Sequence, residues 1–180
     1  MLVTYWTFSI AAVVLSIERL CYLWIWRRPA HFAVFCKRPG LLRLGPPVAV
    51  LQYLFCCFKV IQCAVFIAWC YIHGNGSLAP SGGSMLALAL GALLIISGQA
   101  LNASVFYRLG RIGVFYGNKF GYSVPWSRKF PFSVFEHPQY AGASLSIWGF
   151  FLVMRFPHDD WWMLPALETA YYGFSAYFER

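Results

Sequence analysis

Five apolar stretches limit what this chain can fold into, because each is close to the length that a helix needs to cross a lipid bilayer. A helix rises about 1.5 Å per residue, so roughly 20 apolar residues span the hydrocarbon core. The five stretches cover residues 3–26, 47–72, 84–107, 138–155 and 161–178. We therefore predict an all-α fold: an integral membrane helical bundle of about five transmembrane helices, with the last two forming a hairpin.

The overall composition agrees with a membrane protein. The 180 residues are 60% hydrophobic and 20% aromatic but only 11% charged, which lies outside the range of soluble domains. One bundle accounts for the whole length, so we predict a single membrane-embedded domain, 1–180. The number of spans is less constrained, since the last two stretches are short and Glu18 and Arg19 interrupt the first, which could lie partly in the membrane interface. Four spans are the main alternative.

Turn-forming residues predict where the helices begin and end. Pro46-Pro47 should open the second helix and Gly74-Asn75-Gly76 should close it, because proline is tolerated in the first helical turn and glycine favours the end. The third helix should start at Ser84. Pro138 likewise fits the first turn of the fourth helix, where a missing backbone N–H is tolerated.

Basic residues predict the orientation of the bundle, since short loops rich in Lys and Arg stay on the cytoplasmic side. Segments 27–45 and 108–137 each carry five Lys or Arg residues, whereas the loop 73–83 has none. We predict that the two basic segments face the cytoplasm and that 73–83 and the turn at 156–160 lie on the other side. The N-terminus would then be outside and Glu179 inside.

Two classes of function are disfavoured by the pattern of charged and sulfur-containing residues. The net charge is +8, but the basic residues flank apolar spans and form no continuous stripe, so we expect lipid headgroups as partners and no nucleic acid. The six cysteines include no C-x-x-C pair, and His31, His73 and His158 are isolated from other ligand-like residues. We predict no metal site.

Three ionisable residues lie well inside apolar stretches, where each costs at least ~2.5 kcal/mol on insertion scales. They are Glu18, Lys59 and Glu168. We expect Lys59 to pair with Glu18 or Glu168 inside the bundle. Arg19 and Arg155 are nearer to helix ends, where we expect their side chains to reach towards the interface.

The segment 108–142 is the long polar and glycine-containing stretch between apolar runs, and we place the functional site there. Its glycines at 110, 113, 117 and 121 are spaced so that, on a helix, one face would have no side chains and a flat group could approach the backbone. Close packing of helices is the alternative explanation. Carboxylate, imidazole and aromatic groups follow at Glu136, His137 and Tyr140.

Helix lengths predict that two other parts of the chain reach this segment. The fourth and fifth helices are nearly equal in length, so Glu179 should end close to His137. The third helix should bring Gly98, Gln99 and Asn102 into the cytoplasmic half of the membrane. Gln99 and Asn102 are three residues apart and share a face, where they could bind a ligand or form amide hydrogen bonds between helices.

With these residues in view, the chain resembles the membrane phospholipid N-methyltransferases, most closely the plant-type enzymes. The resemblance is dense over GQALNASVFYRLGRIGVFYGNKFGYSVPW, residues 98–126, and over FPFSVFEHPQYAG, residues 130–142. It is weaker at YLWIWRRPAHF, residues 22–32, and at the terminal FER. The short motif H-P-x-Y-x-G alone would also fit isoprenylcysteine carboxyl methyltransferases, which share the helical core.

The resemblance implies transfer of a methyl group from S-adenosylmethionine to the amine of an ethanolamine phospholipid, ending at phosphatidylcholine. Plant-type members act mainly on the monomethylated and dimethylated lipids, and the family implies an endoplasmic reticulum membrane with the active site on the cytoplasmic face. The family's glycine motif corresponds here to Ser97-Gly98-Gln99, with one glycine, and its acidic pair corresponds to Glu179-Arg180, with one acid.

The resemblance also implies roles for particular residues. Glu136 or His137 is expected to act as the catalytic base, and aromatic faces at Tyr116, Trp126 and Tyr140 are expected to attract the methylated headgroup. The residues expected to bind the cofactor are Gly98, Gln99, Gly113, Tyr116, Gly117, His137, Tyr140 and Glu179.

Two other functions compete with this interpretation. An isoprenylcysteine-type carboxyl methyltransferase would use the same cofactor on a carboxylate, but the V-P-W and F-P-F elements favour the phospholipid enzymes. A non-enzymatic small membrane protein, such as a transporter subunit, would be expected to show inverted repeats with interrupted helices, and none is evident in the sequence.

Overall fold

The computed structural model describes residues 2–125 and 127–179, and its regular elements are helices throughout those ranges. The main helices correspond to the five predicted stretches, which confirms the helical membrane bundle. Short additional helices follow α1, and a 3-10 turn at Gly117–Phe120 follows α5. The α-helices are α1 (Leu2–Arg27), α2 (Pro29–Cys36), α3 (Pro39–Leu42), α4 (Pro47–His73), α5 (Met85–Val114), α6 (Pro138–Met154) and α7 (Met163–Phe178).

Within the described residues, three helices are both long enough and apolar enough to cross a membrane: Val3–Arg27, Pro47–His73 and Met85–Phe120. Helices α6 and α7 have 17 and 16 residues, which is about 25 Å of helix each. They pack against each other as the predicted hairpin. The number of true membrane crossings stays a prediction.

The predicted helix ends agree with the structure where proline, glycine or serine marks them. Pro47 and Pro138 each lie in the first turn of their helix, and Gly74 follows the last residue of α4. The Ser84 hydroxyl accepts a hydrogen bond from the Ala87 N–H and so caps α5. Helix α5 continues beyond the predicted apolar stretch to Val114, with a break in helical geometry at Gly110.

The predicted bare helix face of glycines is wrong, because the four residues do not lie on one helix. Gly110 has φ +62° and Gly121 has φ +84°, so both occupy turns that favour glycine. Gly113 lies in α5, where a Cβ would be 2.7 Å from Leu109 and 2.8 Å from Val124. Gly117 is in the 3-10 turn and packs on Ile112. Each glycine serves its own local turn or contact.

Helices α5 and α6 pack most closely, because two pairs of glycines let their backbones meet. Gly91 faces Gly149, and about two helical turns further along α5 Gly98 faces Gly142. A Cβ on Gly149 would be 2.8 Å from the Ile95 side chain, and a Cβ on Gly142 would be 2.7 Å from the Gly98 carbonyl oxygen. These are the small-residue contacts that let membrane helices approach each other.

At one end of the bundle, Arg155 ties together the two loops that were predicted to share a side. Its guanidinium donates to Asp160 Oδ1 at 2.6 Å and to the His73 carbonyl at 2.8 Å, and Trp69 donates to Asp160 Oδ2 at 2.8 Å. Arg155 is buried by these contacts at the end of the bundle, and its approach to the membrane interface stays a prediction. Thr7 lies 3.0 Å from His73, which places the start of α1 at this end as well.

Asp160 lies in the turn between α6 and α7, outside the helices, and its carboxyl group has a shifted pKa. Burial acts to raise its pKa, but hydrogen bonds from Arg155 and Trp69 outweigh burial and hold the pKa below its ordinary value. The group therefore stays ionised inside a small network at the end of the bundle.

The helices enclose an interior that contains two apolar clusters with a polar layer between them. One cluster contains Ile25, Leu51 and Val105 near the basic end, and the other contains Trp69, Phe151 and Leu164 near the end held by Arg155. Helix α1 packs on α4 and α7, and α5 packs on α6, whereas α4 and α5 make few contacts with each other in the described chain. Apolar side chains on the outside of the bundle are exposed, as a bilayer requires.

Candidate functional site

A cavity of about 460 Å³ opens between the helices, in the size range of small-molecule sites. Its walls come from all five long helices and from the segment between α5 and α6. The structure brings most of the predicted site residues to this one cavity. Those that line it are Gln99, Gly113, Tyr116, Glu136, His137, Tyr140 and Glu179.

Glu179, just after α7, is held by two tyrosines from other parts of the chain. The Tyr116 hydroxyl donates to Glu179 Oε1 at 2.8 Å, and the Tyr140 hydroxyl donates to Oε2 at 2.5 Å. Both carboxylate oxygens are therefore oriented by charge-assisted hydrogen bonds, which are stronger than neutral ones. The predicted approach of Glu179 to the His137 region is observed, since Tyr140 also stacks on His137.

An unusual backbone conformation aims Tyr116 at Glu179. Tyr116 has φ +55° and ψ +31°, a left-handed geometry that non-glycine residues seldom adopt. Its ring is fixed from the α1 side by Trp26 and Tyr22, with ring centroids 5.2 and 6.4 Å away. Backbone strain of this kind tends to occur at functional sites, where the surrounding packing determines the conformation.

A row of stacked groups runs along one wall of the cavity. His137 stacks on Tyr140 with centroids 5.6 Å apart, Tyr140 lies 5.4 Å from Tyr172, and the Arg19 guanidinium sits 4.0 Å above the Tyr172 ring. The row connects the Glu179 end of the cavity with its inner end. It offers aromatic faces, which attract cations, along the whole distance.

The two residues predicted to act as a base differ in their surroundings. His137 precedes α6 and is half-buried, and its Nε2 atom is enclosed with no hydrogen-bond partner among the described residues. Glu136 is exposed at the cavity rim. A buried ring nitrogen facing a cavity is suited to accept or donate a proton to a bound molecule.

Gln99 and Asn102 on α5 have different surroundings, and each fits one of the two predicted alternatives. Gln99 donates to the Ser146 hydroxyl of α6 at 2.9 Å, which is an interhelical hydrogen bond. Asn102 also lines the cavity, but its Oδ1 atom is enclosed and has no hydrogen-bond partner in the described part of the chain. Such an atom is an acceptor available to a ligand.

Among the described residues, two that were predicted for the site, Gly98 and Gly117, do not line the cavity. Gly98 faces α6, where a Cβ would meet Gly142 and Ser146, so its small size serves helix packing. Gly117 packs on Ile112 in the 3-10 turn. Trp126 lies outside the described residues, as does Arg180 of the terminal motif.

The inner end of the cavity is a polar layer that the sequence analysis found only in part. Lys59 pairs with Glu18 at 3.2 Å, which confirms the predicted pairing. Arg19 was expected to reach the interface, and that is wrong: it is 4% exposed, and its Nη2 atom lies 3.4 Å from Glu18 and 3.5 Å from Glu168. Gln62 connects the layer by accepting from Lys59 and donating to Glu168.

A helical pattern in α7 could have shown that this layer belongs to the site. Glu168, Tyr172, Ser175 and Glu179 are spaced by four, three and four residues, so they follow one face of the helix. All but Glu179 are buried. The polar face of α7 therefore runs from the inner layer to the Glu179 cluster and lies against the cavity.

The helical membrane bundle and its cavity agree with a family of membrane enzymes. The chain belongs to the phospholipid methyltransferase family, whose pattern matches residues 86–180. Among curated proteins, it is similar to the phosphatidyl-N-methylethanolamine N-methyltransferase of Arabidopsis thaliana, with 44% identity over 54 residues. That alignment covers 30% of this chain and 33% of the relative, so it spans about a third of the relative's length. No solved structure matches the chain.

Proposed function

We propose that the protein transfers methyl groups from S-adenosylmethionine to the amine of ethanolamine phospholipids. The preferred substrates are phosphatidyl-N-methylethanolamine and phosphatidyl-N,N-dimethylethanolamine, and the end product is phosphatidylcholine. Family membership and the activity in the relative's name support the reaction class. We further propose an endoplasmic reticulum location with the cavity opening to the cytoplasm, which rests on the family resemblance and the basic segments.

The convergence of Tyr116, Tyr140 and Glu179 on one cavity is the observation that carries the proposal. The Glu179 carboxylate, oriented by two hydroxyls, can accept hydrogen bonds from the ribose hydroxyls or an amino group of the cofactor. Asn102 Oδ1 and His137 Nε2 supply two more polar atoms without partners among the described residues. These donors and acceptors fit a polar nucleoside better than they fit a purely apolar ligand.

The proposed chemistry asks little of the protein beyond position and one proton transfer. When bound, S-adenosylmethionine supplies a methyl group on a positively charged sulfur. The lipid amine attacks only when it is neutral, so a base must take its proton. We assign this to His137 because its Nε2 atom faces the cavity, with Glu136 at the rim as the alternative acceptor. An enclosed pocket that excludes water also favours a reaction in which positive charge is only moved.

Aromatic side chains explain the preference for lipids that already carry a methyl group. A substituted ammonium is attracted to an aromatic face by ~0.5–2 kcal/mol. Tyr116 and Tyr140 are half-buried in the cavity wall, beside the Glu179 carboxylate. The headgroup would reach them from the bilayer between α4 and α5, where the helices make few contacts. The acyl chains can then stay in the membrane.

The substrate assignment is tested with the purified protein in lipid nanodiscs, labelled S-adenosylmethionine and three separate acceptor lipids. We expect faster methylation of phosphatidyl-N-methylethanolamine than of phosphatidylethanolamine, with phosphatidylcholine accumulating. Equal rates would replace the proposal with a three-step enzyme. Methylation of a prenylcysteine carboxylate, with no lipid product, would overturn the phospholipid assignment.

His137→Gln should lower the rate of methylation by about 10²–10⁴-fold, as expected for loss of a general base. His31→Gln is the matched control, because His31 is exposed and does not line the cavity. If Glu136→Gln lowers the rate by this amount and His137→Gln leaves the rate unchanged, the base is Glu136.

A further inference from the structure

Several polar atoms in the layer at the inner end of the cavity make no hydrogen bond with the described residues. Glu18 is 3% exposed and Arg19 4% exposed, both in the interior of α1, and Glu168 of α7 is 1% exposed. Ionisable groups are costly within such apolar helices. Glu18, Arg19 and Lys59 all line the cavity, so the layer faces the same space as Glu179. In a membrane protein, such groups are more often part of a site than of the scaffold.

The atoms of Arg19 and Glu18 show what the layer could hold. The Arg19 Nε and Nη2 atoms, which form one edge of the guanidinium, make no hydrogen bond with the described residues, and Nη2 reaches Glu18 and Glu168 only at 3.4 and 3.5 Å. That edge is the planar fork that binds a carboxylate with two parallel hydrogen bonds. Glu18 Oε1 is enclosed beside the Lys59 ammonium at 3.2 Å, and the Tyr22 hydroxyl is enclosed without a hydrogen bond in the described structure. Both oxygens can accept a hydrogen bond from an ammonium group.

We propose that Arg19, Glu18 and Tyr22 form a subsite for the amino-acid end of the methyl donor, with Arg19 binding its carboxylate and Glu18 and Tyr22 its ammonium group. This inference rests on the proposed function. The two glutamates, Arg19 and Lys59 sum to zero charge, which matches a zwitterion and not an isolated phosphate. Positive charge would have to be in excess to hold a phosphodiester so deep in the membrane.

The dimensions of the cavity agree with one elongated ligand that reaches both ends. Glu168 and Glu179 are 11 residues apart on one face of α7, which corresponds to about 16 Å along the helix. The nucleoside part would lie at Tyr116, Tyr140 and Glu179, and the amino-acid part at the inner layer. The reacting centre between these parts would then lie along the row of Tyr140 and Tyr172.

Two compounds separate the subsite from the rest of the cavity: S-adenosylhomocysteine carries the amino-acid end, and 5′-methylthioadenosine lacks it. Their dissociation constants are measured by titration calorimetry on the full chain in nanodiscs. The wild-type protein should bind S-adenosylhomocysteine at least about tenfold more tightly, as expected for charge-assisted hydrogen bonds. Equal affinity in the wild-type protein would overturn the subsite without any variant. Binding of neither compound would overturn the proposed function itself.

Arg19→Lys keeps the charge but removes the fork, so it should weaken S-adenosylhomocysteine by about tenfold and leave 5′-methylthioadenosine unchanged. Arg43→Lys, at an exposed position away from the cavity, is the matched control. Equal loss of both compounds would show that Arg19 only supports the packing. Unchanged binding of both compounds with a raised KM for the lipid would assign the layer to the phospholipid headgroup instead, and the proposal would be wrong.

Discussion

At the scale of single residues, the carboxylate of Glu179 depends on hydrogen bonds from residues far away in the chain. Tyr116 comes from the turn after α5 and Tyr140 from the first turn of α6, and both hydroxyls donate to the same side chain. A carboxylate held at both oxygens cannot rotate freely, so it presents a fixed pattern of acceptors to a ligand. The proposed cofactor site would therefore have a fixed set of hydrogen-bond acceptors at the Glu179 end of the cavity.

Tyr140→Phe removes one of these hydrogen bonds while keeping the ring that stacks on His137 and Tyr172. A hydrogen bond to a charged group contributes about 1.5–3 kcal/mol, so we expect S-adenosylhomocysteine to bind at least about tenfold more weakly. Titration calorimetry measures the change. Tyr177→Phe is the control, since Tyr177 is 68% exposed and does not line the cavity. Unaltered affinity in Tyr140→Phe would mean that Glu179 is not part of the binding site.

Sequence reasoning identified the residues of this cluster but could not show their contacts. Glu179 and His137 were placed together because two helices of nearly equal length must return to the same side. The orientation of Tyr116 was not predictable, since it depends on a left-handed backbone conformation that no local signal requires of a tyrosine. Arg19 was misjudged because it was taken to lie close enough to a helix end to reach the interface, and only the packing of α1 against α7 shows that it is enclosed.

At the scale of helices, α5 and α6 form the close pair on which the cavity is built. Their glycines let the two backbones touch, so the pair has no layer of side chains that could rearrange. Asn102 and Gln99 on α5, and Tyr140 on α6, are thereby held at fixed positions relative to each other. The helix pair provides the rigid part of the site.

Gly142→Ala should destabilise this pair, since the added Cβ would be 2.7 Å from both the Gly98 carbonyl oxygen and Asn102 Oδ1. Overpacking of this kind costs about 1–3 kcal/mol. The control is Gly173→Ala in α7, where a Cβ meets no atom within 4 Å and alanine improves helix propensity. Thermal unfolding in detergent should show a lower Tm for the first variant only. A Tm for Gly142→Ala as high as that of Gly173→Ala would contradict the close contact.

The network of Arg155, Asp160 and Trp69 should make the free energy of unfolding depend on pH, because it stabilises the end of the bundle where α4, α6 and α7 meet. The pKa of Asp160 is lower in the folded protein than in the unfolded chain, so its contribution is fully present above the unfolded pKa and is lost as the pH falls through the folded pKa. Unfolding of wild type and Asp160→Asn should differ at neutral pH and converge in acid. Asp159→Asn, at an exposed neighbour, should follow the wild type. A difference that persists in acid would show that Asp160 acts through packing alone.

At the scale of the whole molecule, the two ends of the bundle differ in charge and in connection. The loop 73–83 and the turn after α6 meet through Arg155, while the Glu179 cluster and the basic segment 108–137 lie at the opposite end. This arrangement agrees with the predicted sides of the loops relative to each other. The assignment of the basic end to the cytoplasm stays a prediction.

Single cysteines at Ser77 and Ser127, in a background without the six native cysteines, test the orientation. We expect Ser127→Cys to react with an impermeant reagent from the cytoplasmic side and Ser77→Cys only from the other side. Labelling is read on sealed membrane vesicles of known orientation, before and after permeabilisation. Reaction of both positions from one side would show an even number of crossings between them.

How far the sequence predicted the fold depended on how local the signal was. Helix ends marked by Pro47, Gly74 and Pro138 were predicted well, because proline and glycine act within one turn. The short helices α2 and α3, and the break at Gly110, lie outside the five apolar stretches, and α2 and α3 are too short to show a clear periodicity. The glycine series was misread because its regular spacing suggested one continuous helix, which the turn at Gly121 rules out.

The weak contact between α4 and α5 has a consequence for how the protein can be handled. Phe55 on α4 and Phe106 on α5 line the cavity from the two sides of this gap, and both are partly open to the surroundings. In the predicted membrane bundle, fatty acyl chains of neighbouring lipids would line the cavity on that side. Extraction into detergent would then replace this lipid wall of the cavity with detergent.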